Sequence, residues 1–398
     1  MDLQQRINAF AKLGTFLSQF SRQSITRKDD VAHNDLFFNG FIHQIKLAGE
    51  NNGWFTQENV LFAIEGWANL LTLDKLSEWL SDYALSLRSP DSHEPCQPAG
   101  RSRKLDFAKA QEKTSKTIAI IMAGNIPLVG FHDFLSVLIA GHHLIIKQSS
   151  NDKHLLPFLV KYLEYAEPGF KNRITFTQEK LDHFDAVIAT GSDNTARYFE
   201  YYFGKKPNII RKNRNSIAVL TGNETAEQLE ALSHDIFRYY GLGCRNVSKL
   251  YVPQDYNFDA FFNAIYKWKE IINHAKYANN YDYNKAVYLM SLFDMLENGF
   301  LMIKEDESFG SPIATLFYEK YDSVESLQQK LSNQADKIQC IVGENFASQS
   351  IFELLSQEMR DDSSNVVLEK TVSFGQTQLP ALNDYADDVD TIAFLLSI

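Results

Sequence analysis

From Thr117 onward the chain alternates short, continuous apolar runs with longer amphipathic stretches, and this alternation constrains the fold more than any other feature. The runs are "TIAIIMAG" (117–124), "HLIIK" (143–147) and "DAVIATG" (185–191). Between and after them lie "LVGFHDFLSVLIAG", "LLPFLVKYLEYAE", a short "RITFT" and "SDNTARYFEYYF". A strand that is apolar at every position is buried on both faces, and strands separated by helices are joined in parallel. The pattern therefore predicts an α/β fold with a parallel sheet covered by helices, of the kind that binds ligands beyond the carboxyl ends of its strands. The dinucleotide fingerprint GxGxxG is missing. The strand ends carry "MAGNIP", "IIKQSS" and "ATGSDN" instead, each opening into a helix whose backbone N–H groups can meet a phosphate. Further on, "NSIAVLTG", "KLYVP", "SPIATLFYE" and "KIQCIVG" predict strands of a second α/β domain.

The first hundred residues read differently. In "MDLQQRINAFAKLGTFLSQF" the apolar residues Leu3, Ile7, Phe10, Leu13, Leu17 and Phe20 recur at helical spacing. Basic residues are too sparse there for a membrane-surface anchor, so a helix packed on the body is expected, not a signal peptide. Trp54, Trp67 and Trp79 occupy packing positions in further helices. A polar stretch, "LRSPDSHEPCQPAGRSRK", ends this region. The expected organisation is a helical N-terminal region (1–100), a Rossmann-type nucleotide-binding domain (101–240), a second α/β domain (241–365) and a C-terminal segment (366–398).

Composition removes several classes of function. The 398 residues carry a formal net charge of -11, which argues against a general nucleic-acid binder. Three cysteines, Cys96, Cys244 and Cys340, with no CxxC spacing, fit neither a disulfide framework nor a zinc site, and point to a reducing cytoplasm. His142 and His143 precede a strand without ligand partners at metal spacing, so no metal is expected. No apolar run approaches the ~18 residues that span a bilayer, which excludes integral membrane association.

One cysteine stands apart. In "RYYGLGCRNVSKLYVP" (238–253), Cys244 follows Gly-Leu-Gly, between an amphipathic helix and an apolar strand. A buried structural thiol has no need of such glycines. A nucleophilic thiolate does, because the chain must turn sharply and let a substrate approach the backbone. Cys96, in a polar loop, and Cys340, in a strand, lack this context.

From about residue 100 to its C-terminus the sequence resembles the aldehyde dehydrogenase superfamily, and within it the LuxC-type acyl-CoA reductases. "AGNIPL" resembles the strand end that supplies an oxyanion-hole asparagine, here Asn125. "IIKQSS" resembles the segment that holds the adenosine ribose, here Lys147 and Ser150, and "ATGSDN" the turn beside the pyrophosphate, here Gly191 and Ser192. "GLGC" resembles the turn of the nucleophile, Cys244, and "DESFGSP" the loop whose glutamate holds the nicotinamide ribose, here Glu307.

The resemblance implies NAD(P)-dependent chemistry on an acyl-cysteine, with two informative departures. Aldehyde-oxidising members carry a water-activating glutamate, and its position falls near Ile210 or Arg211, in "NIIRKNRNS", where there is no carboxylate. A thioester reductase is better off without a base for water. The family's ribose-binding glutamate is replaced by Ser150 beside Lys147, which tolerates a 2′-phosphate and favours NADPH. The expected function is NADPH-dependent reduction of a long-chain acyl-CoA or acyl-carrier thioester to the aldehyde. The alternatives are an aldehyde-oxidising dehydrogenase and a catalytically silent nucleotide-binding subunit. A homo-oligomer, with the C-terminal segment shared between subunits, is suggested by the family. The basic run Lys205, Lys206, Arg211, Lys212 and Arg214 reads either as a solvated strip or as an attractor for cofactor phosphates that also lowers the thiol pKa of Cys244. His132 and Asp133, on the helix after Asn125, read as orienting groups or as a packed helix face.

Overall fold

The computed structural model describes residues 1–83, 115–343 and 371–398. Cys96 and the expected boundaries at 100/101 and 365/366 lie outside the described residues.

Helix α1 (Leu3–Leu17) starts with a capping box: Asp2 accepts from the Gln5 N–H at 2.7 Å, and the Gln5 side chain accepts from the Asp2 N–H at 2.9 Å. Its apolar face is buried, and Phe10 meets the rings of Phe134 and Phe170 at 6.1 and 5.8 Å, so the helix packs on the body as its spacing predicts. Helices α2 (Asn34–Asn51), α3 (Gln57–Leu70) and α4 (Leu73–Leu80) follow.

Then come β1 (Thr117–Ile121), α5 (Phe131–Ala140), β2 (His143–Lys147), α6 (Leu155–Ala166), β3 (Ile174–Phe176), β4 (Ala186–Thr190), α7 (Asp193–Phe203) and β5 (Asn208–Arg211). The five strands form one parallel sheet in the order β3-β2-β1-β4-β5. The chain winds away from β1 in one direction through β2 and β3, and in the other through β4 and β5. The loops after β1 and β4 therefore diverge and leave a crevice at their carboxyl ends.

The second sheet is built from β6 (Asn215–Val219), β7 (Val247–Pro253), β8 (Met295–Glu297), β9 (Met302–Glu305), β10 (Thr315–Tyr321), β11 (Ile338–Val342) and β12 (Thr371–Val372). Their order is β12-β11-β6-β7-β10-β9-β8, parallel throughout except for the antiparallel pair β8 and β9. Side chains alternate between its two faces. Ala218, Leu250 and Val252 pack with Leu229, Leu232 and Ile236 of α8 (Ala226–Phe237), while Ile217, Val219 and Tyr251 pack with Leu327 and Leu331 of α11 (Val324–Ser332). Between these two lie α9 (Asp259–Ile265) and α10 (Ala275–Met290).

The chain forms two compact units, one of Met1–Ala48, Val60–Arg211 and Leu382–Ile398, the other of Gly49–Asn59 and Lys212–Ala381. Strand β6 and helix α8, which a boundary at 240/241 assigns to the first domain, thus belong to the second sheet and its cover. The C-terminal segment is divided between the units. Its last helix, α12 (Thr391–Ser397), returns to the first one, where the Lys116 N–H donates to His142 Nδ1 and His142 Nε2 donates to the Leu395 carbonyl at 3.0 Å. Among the described residues no helix is long and apolar enough to cross a membrane.

Candidate active site

Five of the seven candidate residues lie in the first unit, at the carboxyl ends of its three central strands. Asn125 follows β1 and is exposed. The loop that carries it lies close against the loop after β2: a Cβ on Gly124 would sit 2.5 Å from Ser149 Oγ and 2.6 Å from Ser149 Cβ, so only glycine fits. Four residues further on, the Leu128 N–H donates to Asp152 Oδ2 at 2.8 Å. Burial pushes the Asp152 carboxyl up to about 6, against the lowering effect of that N–H. Lys147, at the end of β2, is half-buried and donates to the Glu179 carbonyl at 3.2 Å, while Ser150 is exposed. Gly191 directly follows β4, and a Cβ there would meet Thr195 and Phe199 at 3.0 Å. Ser192 caps α7, accepting from the Thr195 N–H.

Cys244 lies in the second unit. Helix α8 ends at Phe237, and the chain then takes three consecutive left-handed residues: Tyr239 (φ 54°), Tyr240 (φ 59°) and Gly241 (φ 75°). The glycine does this at no steric cost, whereas the two tyrosines store strain that the surroundings must hold. Asn246 does much of the holding. It is buried, donates through Nδ2 to the carbonyls of Asp235 (3.0 Å) and Arg238 (2.8 Å), and accepts from the Gly243 N–H at 2.8 Å. Buried Ser216 on β6 donates to the Cys244 carbonyl at 3.0 Å and accepts from the Cys340 N–H at 3.1 Å. The cysteine is exposed at the tip of a turn anchored on both sides, whereas Cys340 is buried in β11.

A second anchor comes from the C-terminal segment. Asp235 on α8, fully buried, accepts from the Gly375 N–H (2.6 Å), the Thr377 N–H (3.0 Å) and the Thr377 hydroxyl (2.8 Å), and Arg245 Nε donates to the Thr377 carbonyl. None of Ser216, Asp235, Asn246 and Thr377 is marked by the sequence reading. The only local signal is an Asn two residues after the cysteine.

Glu307 is exposed on the connection from β9 to β10, which crosses back over the second sheet because those strands are parallel. Strand β7 fixes this crossing: Ser248 Oγ donates to the Phe309 carbonyl at 2.7 Å, and Lys249 Nζ donates to the Glu307 carbonyl at 2.8 Å. Lys249 is fully buried and also donates to Glu319, whose other oxygen takes Lys330. Burial lowers the Lys249 pKa, against the raising effect of Glu319.

The remaining candidates are structural. Arg211 is not a surface cation: its guanidinium is buried in an ion pair with Asp133 and donates to Thr391 Oγ1 at 3.2 Å. His132 donates to the Leu382 carbonyl across 2.8 Å amid the rings of Trp67, Trp79 and Tyr385, and burial lowers its pKa. All three lysines of the basic run, Lys205, Lys206 and Lys212, are exposed, and Lys206 folds back onto the Phe184 carbonyl and ring. Among the described residues no group of His, Cys, Asp or Glu is arranged to hold a metal.

Two sheets, one parallel and wound outward from its central strand, the other largely parallel and carrying a cysteine on an anchored turn, have the fold of the aldehyde dehydrogenases. Aldehyde dehydrogenase 21 of Physcomitrella patens, in complex with the reaction product succinate, matches with a TM-score of 0.62 at 12% identity, over 100% of this chain and 84% of that one. The NAD+ complex of an aldehyde dehydrogenase from Bacillus cereus matches with a TM-score of 0.57 at 12% identity, over 89% of this chain and 74% of that one. The family model for acyl-CoA reductase (LuxC) matches residues 98–264, which bears out the resemblance read from the motifs. A long-chain acyl-protein thioester reductase of Aliivibrio fischeri is 25% identical over 223 residues, which are 50% of this chain and 45% of that protein's length.

Proposed function

We propose that this chain is an NADPH-dependent reductase that converts an acyl thioester, carried on CoA or on a protein, to the aldehyde through an acyl-enzyme on Cys244. The observation that carries the reading is the anchored, strained turn that presents Cys244, in a chain whose residues 98–264 match the acyl-CoA reductase model.

The thiolate of Cys244 attacks the thioester carbonyl, the carrier leaves as its thiolate, and one thioester replaces another at little thermodynamic cost. The Asn125 amide holds the oxyanion that develops, a role in which one donor is worth roughly 3–4 kcal/mol. The cofactor residues fit their task. The close approach at Gly124 and the helix start at Ser192 leave backbone rather than side chain at the strand ends. Exposed Ser150 offers a neutral hydroxyl where a glutamate would repel a 2′-phosphate. Lys147, Ser150, Gly191, Ser192 and Glu307 would hold NADPH, which supplies the hydride that reduces the acyl group. Water is kept unreactive because 208–216 bears no carboxylate.

Intact mass spectrometry after mixing with acyl-CoAs of graded chain length tests the covalent step. A mass increase of one acyl group is expected, lost in Cys244→Ser and retained in Cys340→Ser. An adduct that persists in Cys244→Ser overturns the reading.

A further inference from the structure

We propose that Asp152 is the positioning residue of the loop that carries Asn125, acting through the Leu128 N–H; this rests on the oxyanion role proposed for Asn125. Asp152 is 7% exposed and belongs to the loop after β2, yet its Oδ2 accepts from Leu128 in the loop after β1, at 2.8 Å. Leu128 has φ 57°, a left-handed conformation that a leucine does not take up unaided. The other oxygen, Oδ1, is buried without a hydrogen-bond partner, so the carboxylate is committed to this one backbone N–H.

The same two loops meet a second time on the other side of Asn125, where Gly124 lies against Ser149 with no room for a Cβ. Asp152 is in turn tied into its own loop, its N–H donating to the Ser149 carbonyl at 3.2 Å and its carbonyl accepting from Gln148 Nε2 at 3.0 Å. The Asn125 segment is therefore held at 124 and at 128, with buried Pro127 stiffening what lies between. Asn125 is exposed, and these two contacts fix the backbone on either side of it. Ser150 sits on the holding loop, between Ser149 and Asp152, which makes one clasp serve both the adenosine end and the oxyanion end of the reaction.

The test is a double-mutant cycle in single-turnover reduction of a preformed acyl-enzyme, with alkylation of Cys244 by iodoacetamide as a measure of the intact turn. Asp152→Ala should slow reduction by about 10- to 100-fold, the effect expected of a misplaced donor, with little change in alkylation. Asp152→Asn keeps an acceptor for the Leu128 N–H and should restore most of the rate, which a loss of ionisation alone would not allow. Asn125→Ala should be slow by itself, and adding Asp152→Ala should slow it little further. Losses that multiply in the double variant overturn the proposal while leaving the role of Asn125 intact, as does a folded Asp152→Ala that reduces at the wild-type rate. An Asn125→Ala enzyme as fast as wild type overturns the oxyanion reading, and this inference with it.

Discussion

The ammonium of Lys249, fully buried on β7, donates to the backbone carbonyl of Glu307 at 2.8 Å and to the Glu319 carboxylate at 2.8 Å. A charge placed out of water is kept only where its partners are well placed. Here the partners include the main chain of the loop expected to meet the nicotinamide ribose. The same design recurs in both units. Asn125, Cys244 and Glu307 are exposed, and each sits on a loop or turn whose backbone is held by a buried polar group: Asp152 at Leu128, Asn246 at Gly243 and Lys249 at Glu307 itself.

Lys249→Met keeps much of the side-chain volume and removes the donor. Hydrogen bonds from a charged group contribute about 1.5–3 kcal/mol, so the loop should loosen and the KM for NADPH should rise by roughly tenfold or more. Glu319 retains Lys330, which limits the damage to the fold. Alkylation of Cys244 should keep its wild-type rate. Unchanged cofactor kinetics would separate Glu307 from cofactor binding.

Asn246→Ala leaves the Gly243 N–H and the carbonyls of Asp235 and Arg238 without their partner, beside a turn with three left-handed residues. Each abandoned buried group costs about 1–3 kcal/mol, so a loss of about 3 kcal/mol in urea unfolding is expected. Acylation of Cys244, read by intact mass, should slow as well. Full stability in the variant would mean that the turn holds its shape without the amide.

These clamps explain how much of the molecule the sequence discloses. Strand β1 is legible because "TIAII" is apolar at every position after Thr117 and its centre is buried on both sides. Strand β5 is not: "NIIR" is four residues long, lies in a basic stretch, and owes its existence to pairing with β4. The return of α12 to the first unit rests on contacts such as His142 to Leu395, which no local pattern encodes. Around the candidate site, the Gly-Leu-Gly before Cys244 announces a bend, since Gly241 takes φ 75°. Asn246 reads as one more polar turn residue, because its partners lie on the preceding helix.

Asp235 provides a pH prediction. Burial pushes its carboxyl up to about 6 from the usual 3.8, despite the N–H groups of Gly375 and Thr377, the Thr377 hydroxyl and the charge of Arg245, all of which lower it. A raised acid keeps its proton in the folded state between pH 4 and 6, where the unfolded chain has lost it. Its contribution is therefore complete below about pH 4 and declines as pH rises through 6, by about 3 kcal/mol in all. Urea unfolding of wild type and Asp235→Asn at pH 4.5 and 7.5 reads it, and the wild type should lose ground to the variant at the higher pH. A difference that does not depend on pH would mean that Asp235 stays ionised in the fold.

Ser150→Glu should move preference from NADPH toward NADH. The new carboxylate repels a 2′-phosphate and can accept from the ribose hydroxyls of NADH. Lys147 stands close by in sequence, but its ammonium is engaged by the Glu179 carbonyl, which limits how far it can neutralise the change. The ratio of the two kcat/KM values decides the matter, and a ratio that stays put would mean that Ser150 does not meet the ribose.

The last prediction concerns what the enzyme should fail to do. Given an aldehyde and NADP+ without CoA, it should complete about one turnover and stop as the acyl-enzyme. Where a hydrolytic relative would hold its base, this chain has β5 and the residues after it, and 208–216 contains no carboxylate. Arg211 is there instead, and the carboxylate it meets, Asp133, is buried and committed to its guanidinium. A positioned base contributes about 10²–10⁴ in rate, so deacylation by water becomes the slow step. Added CoA should release the stall, because a thiol needs far less help than water to attack a thioester. A burst of NADPH formation with an amplitude near one per Cys244, turning into steady production once CoA is present, is the expected record. Steady oxidation to the free acid without CoA would mean that another residue activates water, and the aldehyde-oxidising alternative would replace the reductase.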